Sequence, residues 1–155
     1  MVKGMEKTFK IRRADLNDLE VLTHLFDGYR QFYEQSSDVE GARAFLMSRM
    51  EQHESVLFLA ENESGKALGF TQLYPTFSSV RMKPVWILND LFVARNARKL
   101  GVANALMEAA EQWARVQGAA GLELATAKDN ITAKSVYDAR QWKLDEAYDH
   151  YSITL

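Results

Sequence analysis

The segment Leu91-Phe92-Val93-Ala94-Arg95-Asn96-Ala97-Arg98-Lys99-Leu100-Gly101-Val102-Ala103 runs from an apolar stretch into a helical one. Between Leu91 and Met107 it carries three cations, Arg95, Arg98 and Lys99, and no carboxylate. Small residues stand at Gly101, Ala103 and Ala105. A helix that starts at such a place presents N–H groups and the positive end of its dipole to an anion, and small side chains let that anion reach the backbone. A pyrophosphate is the guest this chemistry suits. The same features also fit a solvated basic turn before an amphipathic helix. Neither Gly-x-x-x-x-Gly-Lys-Ser/Thr nor Gly-x-Gly-x-x-Gly occurs, so a Walker phosphate loop and a Rossmann dinucleotide site are both excluded as readings. Upstream lies Asp90, a carboxylate within an apolar strand-like run, where it serves either as a base or as a buried structural acceptor.

Other chemistries are removed by what the chain lacks. It contains no cysteine, so no disulfide, thiolate metal site or cysteinyl acyl-enzyme can form. No Gly-x-Ser-x-Gly elbow is present. The three histidines, His24, His53 and His150, are far apart and show no metal-ligand spacing, and no metal is expected. Nineteen basic against 21 acidic residues leave a net charge of −2, which argues against a nucleic-acid or anionic-membrane partner.

The elements that must position these residues follow from periodicity. The 155 residues are 47% hydrophobic and 26% charged, enough for one domain over residues 1–155 with one core. The longest apolar run, Val56–Ala60, cannot span a bilayer, and Met1–Lys7 carries no apolar leader, so a cytoplasmic protein is expected. Thr8–Arg12 alternates as a strand. Asp15 reads as an N-cap before a stripe of Leu16, Leu19, Leu22, Leu25, Phe26, Tyr29 and Tyr33, which Ser36-Ser37-Asp38 interrupts. A second helix is expected over Val39–Met50, with Ala42, Phe45, Leu46 and Met50 on one face. Val56–Ala60 and Leu68–Tyr74 form strands joined by a turn at Asn62–Lys66. Strands follow at Trp86–Val93, Leu122–Thr126 and Tyr148–Leu155, with helices over Gly101–Gln117 and Thr132–Arg140. The first of those helices should face inward through Val102, Ala105, Leu106, Ala109 and Trp113. The order β-αα-β-β-β-α-β-α-β predicts an α/β fold with a mixed, mostly antiparallel sheet and flanking helices.

Two motifs resemble a known family. Arg98-Lys99-Leu100-Gly101-Val102-Ala103 is similar to the Arg/Gln-x-x-Gly-x-Gly/Ala signature of the GCN5-related (GNAT) N-acetyltransferases. Asn130-x-x-Ala133-x-x-x-Tyr137-x-x-x-Gln141-Trp142 resembles that family's second block. The likeness covers the chain from Thr8 onward and implies acetyl-CoA as cosubstrate. It places the pyrophosphate at Arg98, Lys99, Gly101, Val102, Ala103 and Asn104. It also implies a bulged strand whose backbone at Phe92 and Val93 meets the pantetheine arm, and cofactor contacts from Asn130 and Lys134. Leu88–Val93 and Gly69–Tyr74 resemble the spermidine/spermine and thialysine enzymes, which implies a small-molecule amine as acceptor, and the family implies a homodimer.

In this frame Tyr137 is the candidate acid for the departing thiolate and Asp90 the candidate base, acting through water. Tyr137 is otherwise an aromatic packed on the sheet. Tyr29, Tyr33, Gln72, Tyr74, Trp86 and Asn89 are the candidate acceptor contacts. Gln141 stands where the family has glycine, so another turn geometry is expected there. Asn89 stands where the polyamine enzymes carry glutamate. The alternative functions are a protein or peptide N-acetyltransferase and a non-catalytic CoA-binding regulatory module.

Overall fold

Two strands buried on both faces and a tight turn build the centre of the sheet. The structure, a computed structural model, describes residues 8–155, so the reading that Met1–Lys7 carries no leader falls outside the described residues. Strands β2 (Val56–Asn62) and β3 (Ala67–Ser78) meet at a turn. There the Asn62 side-chain oxygen accepts from the Ser64 and Lys66 N–H groups at 3.1 and 2.9 Å, and Gly65 takes φ 80°. Strand β1 (Phe9–Arg13) pairs outside β2, and β4 (Lys83–Val93) pairs with β3, all antiparallel. Strand β5 (Gly121–Glu123) adds in parallel to β4, giving the order β1-β2-β3-β4-β5. The fold is the expected α/β type, with a mostly antiparallel sheet flanked by helices.

Helices α1 (Leu19–Phe32) and α2 (Val39–Glu51) pack on one face. Their core joins Leu22, Leu25, Phe26, Ala42 and Leu46 to Leu57, Leu59 and Phe70 of the sheet. Asp15 caps a single 3-10 turn, Leu16–Asp18, that leads into α1, and Asp18 bonds back to the Asp15 N–H at 2.9 Å. On α2, Ala42 and Leu46 are buried, while Phe45 lies nearer the surface and stacks on Phe26 at 5.7 Å.

Helix α3 (Val102–Val116) packs on the other face. Val102, Ala105 and Leu106 are buried as expected, and Met107, Ala110 and Ala114 complete the stripe. Ala109 and Trp113 are half-buried. The Trp113 ring meets Phe58 at 6.3 Å and Trp86 at 6.0 Å.

The chain divides into two compact units, one through Leu124 and one over Ala125–Leu155. The second holds α4 (Ile131–Ala139). Two expectations need correction. Strand β5 ends at Glu123 rather than Thr126, because its parallel ladder stops at the pair Ile87–Glu123. The expected strand Tyr148–Leu155 does not form. Alternation fixes which side chains share a face, but a strand also needs a ladder partner. These residues lie outside any strand, and Tyr151 and Ile153 are 94% and 84% exposed.

Candidate active site

Strand β4 changes character halfway along. From Val85 to Ile87 it is paired on both sides, to β3 and to β5. From Leu88 to Val93 only β3 remains beside it. At the transition the register with β3 slips: Gln72 faces Asp90, but Leu73 faces Leu88, so Asn89 is an extra residue. This is a β-bulge, the feature the family resemblance implied. Past it, the edge of β4 that faces away from β3 has no ladder partner among the described residues, which leaves main-chain groups for an extended, amide-bearing ligand.

The bulge turns Asp90 toward α1 and buries it, 2% exposed. Gln72 Nε2 donates to Asp90 Oδ2 at 2.6 Å, and Asn89 Nδ2 donates to Oδ1 at 2.9 Å. The Tyr29 hydroxyl, on α1, donates to the Asn89 carbonyl at 3.3 Å and also lies against the Asp90 carboxylate. Thr71 Oγ1 donates to the Asp90 carbonyl at 2.8 Å, fixing the strand from its other face. Burial pushes the Asp90 carboxyl above its ordinary range, and the Gln72, Asn89 and Tyr29 donors pull it partly back. Burial and the Asp90 charge push both Tyr29 and Tyr74 upward, so both stay protonated phenols at neutral pH. Among the described residues no ion pair is formed to Asp90; Arg49 of α2, which acts on Tyr74, pairs with Glu54 at 3.5 Å. A carboxylate among phenols and amides suits a ligand that brings its own positive charge.

Tyr29, Gln72, Tyr74, Asn89 and Asp90 thus converge, and Tyr33 joins them edge-to-face with Tyr29 at 5.0 Å. Trp86 does not: its ring packs on Trp113 of α3, across the sheet from Asp90. Counting by twos from Asp90 puts Trp86 on the same face, and the extra residue at Asn89 reverses that count. Gln72 is fully buried, so it reaches ligand only through Asp90. Arg49 was missed by the sequence reading, since only tertiary packing brings α2 here.

The loop read as a phosphate site follows β4 directly. Lys99 and Gly101 take φ 65° and 83°, and α3 begins at Gly101 with no side-chain cap and no acid in its first turn. The leading N–H groups of such a helix have no preceding turn to bond. A Cβ built on Gly101 meets nothing within 4 Å, so the approach to the backbone is open. Arg98 Nε donates to the Val93 carbonyl at 3.2 Å, and its guanidinium lies 5.7 Å from the Phe32 ring. Lys99 and Asn104 are exposed, Ala103 is half-buried and Val102 is buried beneath them. Phe92 and Val93 are half-buried on the unpaired half of β4. The loop fits the phosphates of a CoA thioester.

In the second unit, Asn130 caps α4 by accepting from the Ala133 N–H at 3.3 Å. Lys134 Nζ donates to the Lys128 carbonyl at 2.7 Å. Tyr137 is half-buried, with its ring 6.3 Å from Trp142. Gln141 corrects the expectation of a different turn: it adopts φ 66°, the left-handed conformation a glycine would take. Trp142 N–H donates to the Tyr137 carbonyl and Gln141 N–H to that of Asp138, both at 3.0 Å, a Schellman ending with its ring contact.

A bulged strand with an open half, followed by a left-handed loop into an uncapped helix, defines a class, and the chain belongs to it: residues 20–141 match the acetyltransferase (GNAT) family. It is an N-acetyltransferase. It is 47% identical over 145 residues to an uncharacterized N-acetyltransferase, YhfO, of Bacillus subtilis (strain 168), covering 94% of this chain and 97% of that one. It is 38% identical over 104 residues to a probable acetyltransferase of Haemophilus influenzae, covering 67% and 71%. A crystal structure of a probable acetyltransferase superposes with a TM-score of 0.91 at 40% identity, covering 94% and 97%. An aminoglycoside N-acetyltransferase in complex with CoA shares the fold, with a TM-score of 0.78 at 21% identity over 100% of this chain and 99% of that one. Among the described residues no cluster could hold a metal ion, and no helix is long and apolar enough to cross a membrane.

Proposed function

We propose that this N-acetyltransferase moves the acetyl group of acetyl-CoA to a primary amine of a small molecule, a polyamine, an amino acid or an analogue, by direct attack. The observation that carries the reading is the buried Asp90 carboxylate, framed by Tyr29, Gln72 and Asn89 and without an ion-pair partner among the described residues. A protonated amine supplies the missing charge. Tyr29, Tyr33 and Tyr74 form the acceptor walls, with Asn89 at the bulge. Membership of the family, whose match runs across both units, supports treating residues 1–155 as one acetyltransferase domain.

When bound, acetyl-CoA supplies an activated acyl thioester. The N-terminus of α3, with Arg98, Lys99, Gly101, Val102, Ala103 and Asn104, holds its phosphates. Phe92 and Val93 meet the pantetheine arm through the backbone, and one of their N–H groups polarises the carbonyl. Asn130 and Lys134 add cofactor contacts. Asp90 accepts, through water, the proton that leaves the amine nitrogen; an upward-shifted carboxyl is better matched to that task than an ordinary one. Tyr137 donates its hydroxyl proton to the sulfur as the carbon–sulfur bond breaks. A homodimer and a cytoplasmic location complete the proposal; light scattering tests the first and fractionation the second.

A screen of polyamines, lysine analogues, D- and L-amino acids and peptides, read by thiol release, tests the acceptor class. Turnover with peptides alone would make it a protein acetyltransferase, and CoA binding without turnover a regulatory module. With the acceptor in hand, Asp90→Asn should lower kcat/KM by about 10²–10⁴-fold. Because folding raises the Asp90 pKa, the native protein keeps a proton that the unfolded chain releases. The charged group therefore opposes folding increasingly as pH rises from its unfolded value through its native one. Asp90→Asn should accordingly lose activity without losing melting temperature at neutral pH. Tyr137→Phe should slow the chemical step in single-turnover kinetics by about 10²–10⁴-fold and leave cofactor affinity unchanged.

A further inference from the structure

Among the described residues of the sheet, Gln72 is the one fully buried side-chain amide, and its two ends are treated differently. Nε2 donates to Asp90 Oδ2 at 2.6 Å, a short bond even for a charged acceptor. Oε1 is buried and has no hydrogen-bond partner. An apolar side chain of similar length would fill this site without stranding an acceptor. Packing therefore does not account for glutamine here, and the bond to Asp90 does. The location is telling as well. Gln72 and Asp90 are directly opposed across β3 and β4 at the last regular pair before the bulge at Asn89. Past that pair the register slips by one residue and resumes at Leu73 and Leu88, so Gln72 is the last β3 residue in register with the Asp90 half of β4.

We propose that Gln72 is a positioning residue, whose amide N–H holds the Asp90 carboxylate in the direction and charge state in which it serves the acceptor. This rests on the reading of Asp90 as the proton acceptor. The groups around Asp90 are Tyr29 from α1, Tyr74 from β3 near Gln72, and Asn89 from β4; Tyr33, at the C-cap of α1, reaches the set through Tyr29, and Arg49 of α2 through Tyr74. Of these, Asn89 is exposed and the Tyr29 hydroxyl is shared with the Asn89 carbonyl. Gln72 is the donor that solvent cannot replace. Removing it withdraws a bond made to the charged form, so Asp90 gives up its proton at higher pH.

The test follows the Asp90 carboxyl by carbon NMR in the full chain with labelled aspartates, the signal assigned by its loss in Asp90→Asn. Gln72→Leu should raise the midpoint by about one pH unit, the size of one hydrogen bond to a charged group. The acidic limb of kcat/KM for the acceptor should move the same way, with acetyl-CoA affinity unchanged. Gln72→Met offers a second apolar replacement should the first not fold. In the wild type, the Gln72 side-chain amide protons should titrate with the Asp90 midpoint. A midpoint within about 0.3 units of wild type in either folded variant, or a wild-type amide that ignores the titration, overturns the proposal. If Asp90→Asn retains full activity, Asp90 is not the base, yet the NMR titration still judges Gln72.

Discussion

Helices α2 and α3 begin in opposite ways. The first N–H groups of α2 are met by its own chain: Asp38 accepts from the Gly41 N–H at 2.9 Å, and Glu40 adds a negative charge in the first turn. Helix α3 starts from a left-handed glycine, with no side-chain cap and no acid nearby. A capped terminus has its donors and its dipole satisfied from within, while an uncapped one stays available to an anion from outside. The contrast separates a helix start that its own chain satisfies from one left open, as the proposed cofactor site requires.

Substitutions at these two helix starts probe the contrast, and one at the end of a third helix gives the smallest effect. Gly101→Glu places a carboxylate at the proposed phosphate site and a Cβ on a left-handed backbone. Acetyl-CoA affinity should fall by about 100-fold or more, near 2.7 kcal/mol by calorimetry. Gly101→Asn, which tolerates the left-handed region, should fold and lose far less. Asp38→Ala should do the reverse: it removes about 1 kcal/mol of stability, or about 2–4 °C in melting temperature, and leaves cofactor affinity alone. If Asp38→Ala weakened cofactor binding as well, the division of labour between the two termini would be wrong. Gln141→Gly acts at the far end of another helix, α4. Relief of the left-handed glutamine should raise stability by about 0.5–1 kcal/mol, measured by denaturant unfolding, with no change in kcat.

Acid titration gives a further check on the loop between α1 and α2. Asp27 accepts from the Asp38 N–H and Ser37 Oγ, both at 2.7 Å, and from Gln31 Nε2 at 3.0 Å. The Asp38 N–H, first among these donors, holds the Asp27 carboxyl below its ordinary range. Its contribution is full above the unfolded value and is lost as pH falls through the native one. Asp27→Asn should therefore be less stable at neutral pH, and the gap to wild type should close below about pH 4.

Local features were readable from the sequence wherever chemistry and period agree within one element. Gly65 after Asn62 announced the hairpin turn, Asp15 the cap of the Leu16–Asp18 turn, and Gly101 the start of α3, because each depends on neighbours in the chain. Asp90 was legible as an odd carboxylate in an apolar run. The company it keeps was less so: Gln72 is 18 residues away, Tyr29 lies on another element, and Arg49 joins only through packing. Trp86 was misplaced because a bulge is a property of two strands, visible only when β3 and β4 are set in register. Tyr148–Leu155 misled for the related reason that a strand is half of a pair. Gln141 shows the opposite case, where a backbone requirement persists although its usual residue is gone.

The extra residue at Asn89 also bears on how this chain tolerates change in length. Side chains of β4 before and after it face the two layers in opposite phase, so Trp86 meets α3 while Asp90 meets α1. Deleting one residue there would restore the phase and turn one half of the strand over, sending either Trp86 or Asp90 into the wrong layer. For the layering of this strand, a change in residue count is a larger disturbance than the exchange of a single side chain.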